Sequence, residues 1–154
     1  VNVTVEVASG LSGLTVQRTG ACSFQVSRVP SASVYDIALV SRVGSVVSSA
    51  ATIQHGMAPL APTNLVGSAN SSGTLTFTFT APPSNGAEIF YDFKQSGPTF
   101  ISSWQRSRSG DVQRITIFGL QRGGTYTLAM RASVFAQSRL VSSPYSADLV
   151  VRVP

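Results

Sequence analysis

Six carboxylates, one histidine, one cysteine and many serines are the side chains of this 154-residue sequence that could do acid–base or nucleophilic chemistry. The acids are Glu6, Asp36, Glu88, Asp92, Asp111 and Asp148, and none falls in a close pair or beside the histidine. A glycosidase-like pair of carboxylates therefore has no local support. A Ser–His–Asp arrangement would have to recruit His55, the single histidine, from a Pro- and Gly-containing stretch that reads as a joint between two units. His55 is expected to be an exposed linker residue. Metal ligation needs clusters of His, Cys, Asp or Glu, and none is visible at ligand spacing. Cys22 is the only cysteine, so no intrachain disulfide can form. It is expected to act as a small hydrophobe near a strand start, since a reactive thiol would need a basic neighbour and a partner histidine that nothing local supplies. Arg122-Gly123-Gly124 reads as a β-turn rather than a phosphate cradle. The expectation is a chain without catalytic residues, metal or cofactor.

Charge narrows the partners. The formal net charge is +5, and it comes almost wholly from arginine, with Lys94 the only lysine. The arginines are scattered, and only Arg106 and Arg108 lie close together. A nucleic-acid surface needs a concentrated basic patch, so no nucleic-acid partner is expected. No apolar run approaches the roughly 18 residues of a membrane-spanning helix, so no membrane insertion is expected. No signal peptide is visible, and the chain begins with Val rather than Met, which reads as a processed chain or a segment of something longer.

The elements that would carry these side chains are strands. Charged residues make up only 11% of the sequence, and polarity comes from Ser, Thr, Gln and Asn, a composition suited to half-buried β surfaces. Leu75-Thr76-Phe77-Thr78-Phe79-Thr80 places three large apolar groups on one face and three hydroxyls on the other. Ile89, Tyr91 and Phe93 share one face of another strand, as do Tyr126, Leu128 and Met130, and Leu149, Val151 and Val153. Turn chemistry separates them at Ser71-Ser72-Gly73, Pro82-Pro83-Ser84-Asn85-Gly86 and Ser109-Gly110-Asp111. No stretch carries a sustained helical apolar period with caps.

A repeat lies within the chain. Phe24, Val26 and Val29 match Ile115, Ile117 and Leu120 at a spacing of 91, and the same spacing carries Tyr35, Ile37 and Leu39 to Tyr126, Leu128 and Met130. Upstream, Val1, Val3, Val5 and Val16 match Ile89, Tyr91, Phe93 and Trp104 at 88. Downstream, Val47-Ser48-Ser49 matches Val141-Ser142-Ser143 at 94. Each change of spacing falls in a turn-like stretch, around 107–110 and 135–138, where insertions are tolerated. The pattern reads as two copies of one fold.

In the second copy Leu120 precedes Tyr126 by six residues across a tight turn, and in the first Val29 precedes Tyr35 likewise. This pattern resembles the corner that leads into strand F of fibronectin type III domains, where the ring packs inside and the hydroxyl ties down the loop. Ala61-Pro62-Thr63-Asn64-Leu65 is similar to that family's strand A, and Leu75 to Pro83 to its strand B, with Phe79 where the family usually has a buried tryptophan. Immunoglobulin domains proper are disfavoured, because the paired cysteines are absent. The resemblance implies an all-β chain of two consecutive immunoglobulin-like (fibronectin type III) β-sandwiches. They would span residues 1–56, a partial module from strand C onward, and 57–154, a complete one. The first module would lack two opening strands, to be supplied by a longer polypeptide or a neighbouring chain. Residues 53–62 would form a semi-rigid hinge.

Binding in such sandwiches is carried by end loops and sheet edges. The expected contact loop is the F–G connection, with Phe135, Arg139 and Leu140, which would either dock a partner or cover the next module. Tyr35, Tyr126, Val29 and Leu120 are the expected structural corner residues. The resemblance implies a non-enzymatic spacer or receptor-facing arm in a bacteriophage tail or other large extracellular assembly. Its partners would be other chains of that assembly and a cell-surface receptor or glycan. The alternative is an accessory module of a secreted bacterial polysaccharide-degrading enzyme, which a coplanar strip of Phe100, Trp104 or Tyr145 would favour. A third is a receptor ectodomain, which glycans at Asn2 or Asn70 would indicate.

Overall fold

The computed structural model describes residues 2–7, 13–20, 23–101 and 103–154. Val1 and Cys22 lie outside the described residues. Every described regular element is a strand, and every pairing is antiparallel. The chain is all-β.

The first half holds β1 (Asn2–Val7), β2 (Thr15–Arg18), β3 (Phe24–Ser27), β4 (Ser33–Val43), β5 (Val46–Val47) and β6 (Ala51–Met57). The second holds β7 (Thr63–Ala69), β8 (Leu75–Thr80), β9 (Phe90–Ser96), β10 (Trp104–Ser109), β11 (Val112–Ile117), β12 (Thr125–Ala136), β13 (Arg139–Ser142) and β14 (Leu149–Arg152). In the second half one sheet runs β10-β11-β8-β7, and the other sets β12 between β9 and the pair β13 and β14. Each of these two sheets has four strands.

The alternating strands fill the space between these sheets. Leu75, Phe77 and Phe79 point inward from β8, Ile115 and Ile117 from β11, and Tyr126, Leu128 and Met130 from β12, each at 1% exposure or less. The intervening Thr76, Thr78 and Thr80 are half-buried on the far face of β8. Phe79 occupies the expected place of an aromatic plug and meets the edge of Tyr91, with ring centroids 5.1 Å apart.

The repeat is visible in the pairing register. Val5 faces Leu39 across β1 and β4, and Phe93 faces Met130 across β9 and β12. Val16 faces Val26 across β2 and β3, and Trp104 faces Ile117 across β10 and β11. Each second pair is the first one moved by 88 on one strand and 91 on the other. The downstream match shifts by one residue: Val47 faces Arg42 and Ser142 faces Ser133, so the true spacing there is 95 rather than 94.

The halves differ where the repeat lacks a counterpart. On its far side β11 pairs with β8, whereas among the described residues β3 pairs only with β2. The inner face of β4 is correspondingly less covered: Ile37 and Leu39 are half-buried, while the matching Leu128 and Met130 are fully buried.

The expected hinge at 53–62 is corrected. Residues 51–57 form β6, paired along β4 from Leu39 to Ser33, so only residues 58–62 connect the halves. Pro59 and Pro62 within that connection are both buried, and the Ala32 amide donates to the Ala58 carbonyl at 3.3 Å. His55 is accordingly a strand residue. It is exposed, and its ring stacks on that of Tyr35 with centroids 6.0 Å apart.

Candidate functional site: the β12–β13 hairpin

The hairpin between β12 and β13 turns through Gln137 and Ser138, whose φ values of 50° and 60° are those of a two-residue type I′ turn. In the first half, the matching hairpin turns at residues 44–45, directly after the Val43–Val46 pair. The second hairpin continues past the matching Val134–Val141 pair by two more pairs, Phe135–Leu140 and Ala136–Arg139. The extra length is therefore made of the three residues expected to form the contact loop, plus Ala136.

The extension sorts its side chains by strand alternation. Val134, Ala136 and Val141 point to one side and lie against Gly56 of β6. A methyl group built on Gly56 would come 2.7 Å from the Ala136 Cβ and 3.3 Å from a Val141 methyl, so glycine is what lets the hairpin approach so closely. The Gln137 amide donates to Gln54 Oε1 at 3.2 Å, and across a neighbouring loop Asn85 Nδ2 donates to the Ser31 carbonyl at 2.7 Å. Val134 is fully buried as a result, while its counterpart Val43 stays 59% exposed. On the other side of the hairpin, Phe135 and Leu140 stand opposite each other, 55% and 51% exposed. Arg139 is exposed beside the turn. One face of the hairpin thus covers the preceding half, with Arg139 at its exposed tip opposite Ala136, and the other presents the apolar pair Phe135 and Leu140.

The two expected corners are not alike. Tyr126 is fully buried, and its hydroxyl accepts from the Gln121 amide at 3.0 Å and lies 2.6 Å from Thr99 Oγ1. Leu120 is buried beside it. Tyr35 is 7% exposed and Val29 half-buried, but the residue matching Gln121 is Pro30. Proline has no N–H, so the corner hydrogen bond cannot form there. The loop is tied instead by Ser33 Oγ donating to the Pro30 carbonyl at 2.6 Å.

Phe100, Trp104 and Tyr145 do not share one strip. Tyr145 lies on the outer side of β9 and β12, with Lys94 and Arg131 set over its ring at 5.2 and 5.1 Å. Arg131 in turn grips both oxygens of Asp92 at 2.9 and 2.8 Å. That contact holds the guanidinium pKa above its usual value. Phe100 and Trp104 instead line a small cleft with Tyr91 and Phe93. Asn70 spends its side-chain oxygen on the turn after β7, accepting from the amides of Ser72 and Thr74 at 3.1 and 3.0 Å. Among the described residues no group of three or more His, Cys, Asp or Glu could hold a metal ion.

Gly56 and Gln54 complete a contact that motif reading misses. The signal for them was the lengthened loop, which named the donor side of the contact but not its acceptor.

No protein-family model and no curated protein sequence matches the chain. Among solved structures, an endo-fucoidan hydrolase from glycoside hydrolase family 107 is similar at 15% identity with a TM-score of 0.30. The match covers 97% of this chain and 24% of that one, so the chain spans about a quarter of that enzyme's length.

Proposed function

We propose that the chain is a non-enzymatic structural and interaction segment. In this reading it is a tandem of fibronectin type III modules, divided near residue 57, serving as a spacer or receptor-facing arm in a phage tail or other large extracellular assembly. The observation that carries the reading is the β12–β13 hairpin seated on Gly56. A spacer has to resist bending between its units, and a hairpin lengthened by two residue pairs to reach the preceding unit does that. Its outer face, with Phe135 and Leu140, is left for a partner chain, and Arg139 is exposed beside the turn. Exposed aromatic and aliphatic side chains set side by side are suited to anchoring a protein interface. Repetition of one strand register in both halves supports a modular origin.

Gly56→Leu tests this. The added side chain occupies the volume of Ala136 and Val141, so the hairpin is expected to lift from β6. Small-angle scattering should then show a larger maximum dimension than wild type, and NMR relaxation should give the two halves separate correlation times. A wild-type chain whose halves already tumble independently would defeat the arm reading. Phe135→Ser with Leu140→Ser is expected to leave stability within about 0.5 kcal/mol, because both side chains are exposed, while abolishing capture of any partner chain. Equal capture by that variant would remove the patch from consideration.

A further inference from the structure

Gln113 lies on the inward face of β11, in line with Ile115 and Ile117, and is 4% exposed. Its side-chain amide has no hydrogen-bond partner among the described residues, although buried amides are almost always paired. The amide lines a cleft of about 920 Å³ between the 81–89 loop and the β10–β11 hairpin. Tyr91, Arg106, Arg108, Glu88 and Asp111 line the same cleft. Two cations and two anions make its wall neutral overall. The Tyr91 hydroxyl likewise has no protein partner among the described residues. Burial pushes its pKa above the ordinary phenol value despite the opposing pull of Arg106 and Arg108, so it remains a donor at neutral pH.

Tyr91 also belongs to the adjoining cleft of about 260 Å³, lined by Phe93, Phe100 and Trp104. Phe100 is 83% and Trp104 42% exposed, and Trp104 is held edge-on by Phe93 at 5.9 Å. The two clefts meet at Tyr91 along the seam where β9 of one sheet passes β10 of the other. One end of this groove offers unpaired amide and phenol groups, and the other offers exposed aromatic faces.

We propose that this seam binds a neutral oligosaccharide, with Gln113 and Tyr91 taking hydroxyl groups and Trp104 and Phe100 taking the C–H face of a neighbouring sugar ring. A sugar presents both kinds of surface on each residue, which is the combination the groove supplies. The balanced charge disfavours a polyanion, and a site of this size suits a ligand of a few rings, since small-molecule sites span roughly 300–1,000 Å³. The inference does not depend on the arm reading, because none of Gln113, Tyr91, Trp104 and Phe100 takes part in the hairpin's contact with β6.

The test is calorimetric titration of the 154-residue chain with cellohexaose, laminarihexaose, mannohexaose and a sulfated dextran oligosaccharide, with NMR of the Gln113 side-chain amide. At least one neutral hexasaccharide is expected to bind and to shift that amide. Gln113→Leu is expected to weaken binding at least tenfold while the melting temperature holds or rises, because an orphaned polar group is replaced by an apolar one of similar size. Trp104→Ala, at an exposed position, is expected to weaken binding as well. Absence of binding by every neutral probe, binding of the sulfated probe alone, or undiminished binding by both variants would overturn the proposal.

Discussion

Phe77→Ala is expected to lower the stability of the second half by about 3–5 kcal/mol, the usual cost of emptying a fully buried phenylalanine site. Phe77 is 1% exposed at the middle of β8, opposite Ile115 and packed into the cluster that includes Leu128 and Met130. Both sheets are pinned around it, so the cavity cannot close by moving one loop. Leu39→Ala, at the first-half position matching Met130, is expected to cost only about 1 kcal/mol, because Leu39 is half-buried and little of its area returns to water. Urea denaturation followed by Trp104 fluorescence reports the second half directly, since Trp104 is the only tryptophan and sits in β10. Equal losses for the two variants would mean that the halves share one cooperative core, contrary to the uneven burial described above.

What the sequence made legible follows from how strongly each strand is constrained. β8 is buried on one face and wetter on the other, so Leu75 to Thr80 had to alternate, and the alternation reads directly as a strand. The repeat was legible because register is fixed by the same alternation: slipping Tyr126, Leu128 and Met130 by one residue would turn all three to the outer side. The stretch 53–62 reads as a hinge because Gly56, Pro59 and Pro62 punctuate it, and the part of it that lies in β6 has no buried face, every residue there but Gly56 being exposed. With nothing to bury, Ala51 to Met57 carries no period, and glycine beside histidine resembles a loop. Backbone pairing to β4, not side-chain burial, makes it a strand. Gly56 was invisible for a related reason: its role depends on a hairpin tip arriving from 80 residues later. The spacing error of one residue downstream arose because hairpin extensions add residues in pairs, here four, which sequence matching of Val47-Ser48-Ser49 could not count. Gln113 gave no signal at all, since a lone glutamine on a strand reads as solvent-facing until its neighbours are in place.

Tyr126→Phe is expected to destabilise the second half by about 1–2 kcal/mol, whereas Tyr35→Phe should change the first by less than about 0.5 kcal/mol. The two rings occupy matching positions, so their contrast isolates the hydroxyl. In Tyr126 that oxygen is fully enclosed and closes the loop between β11 and β12 by accepting from the Gln121 amide and pairing with Thr99. Removing it orphans the amide and the Thr99 hydroxyl together. In Tyr35 the amide that would donate is absent, because Pro30 stands where the second half has Gln121. If the proline is the cause, then Pro30→Gln restores a donor at that place, and removing the Tyr35 hydroxyl in that background should cost the share of the Tyr126 effect that the Gln121 amide carries. The coupling energy of this double-mutant cycle is the measurement that decides. A coupling near zero would show that the two corners differ in loop geometry rather than in one missing N–H.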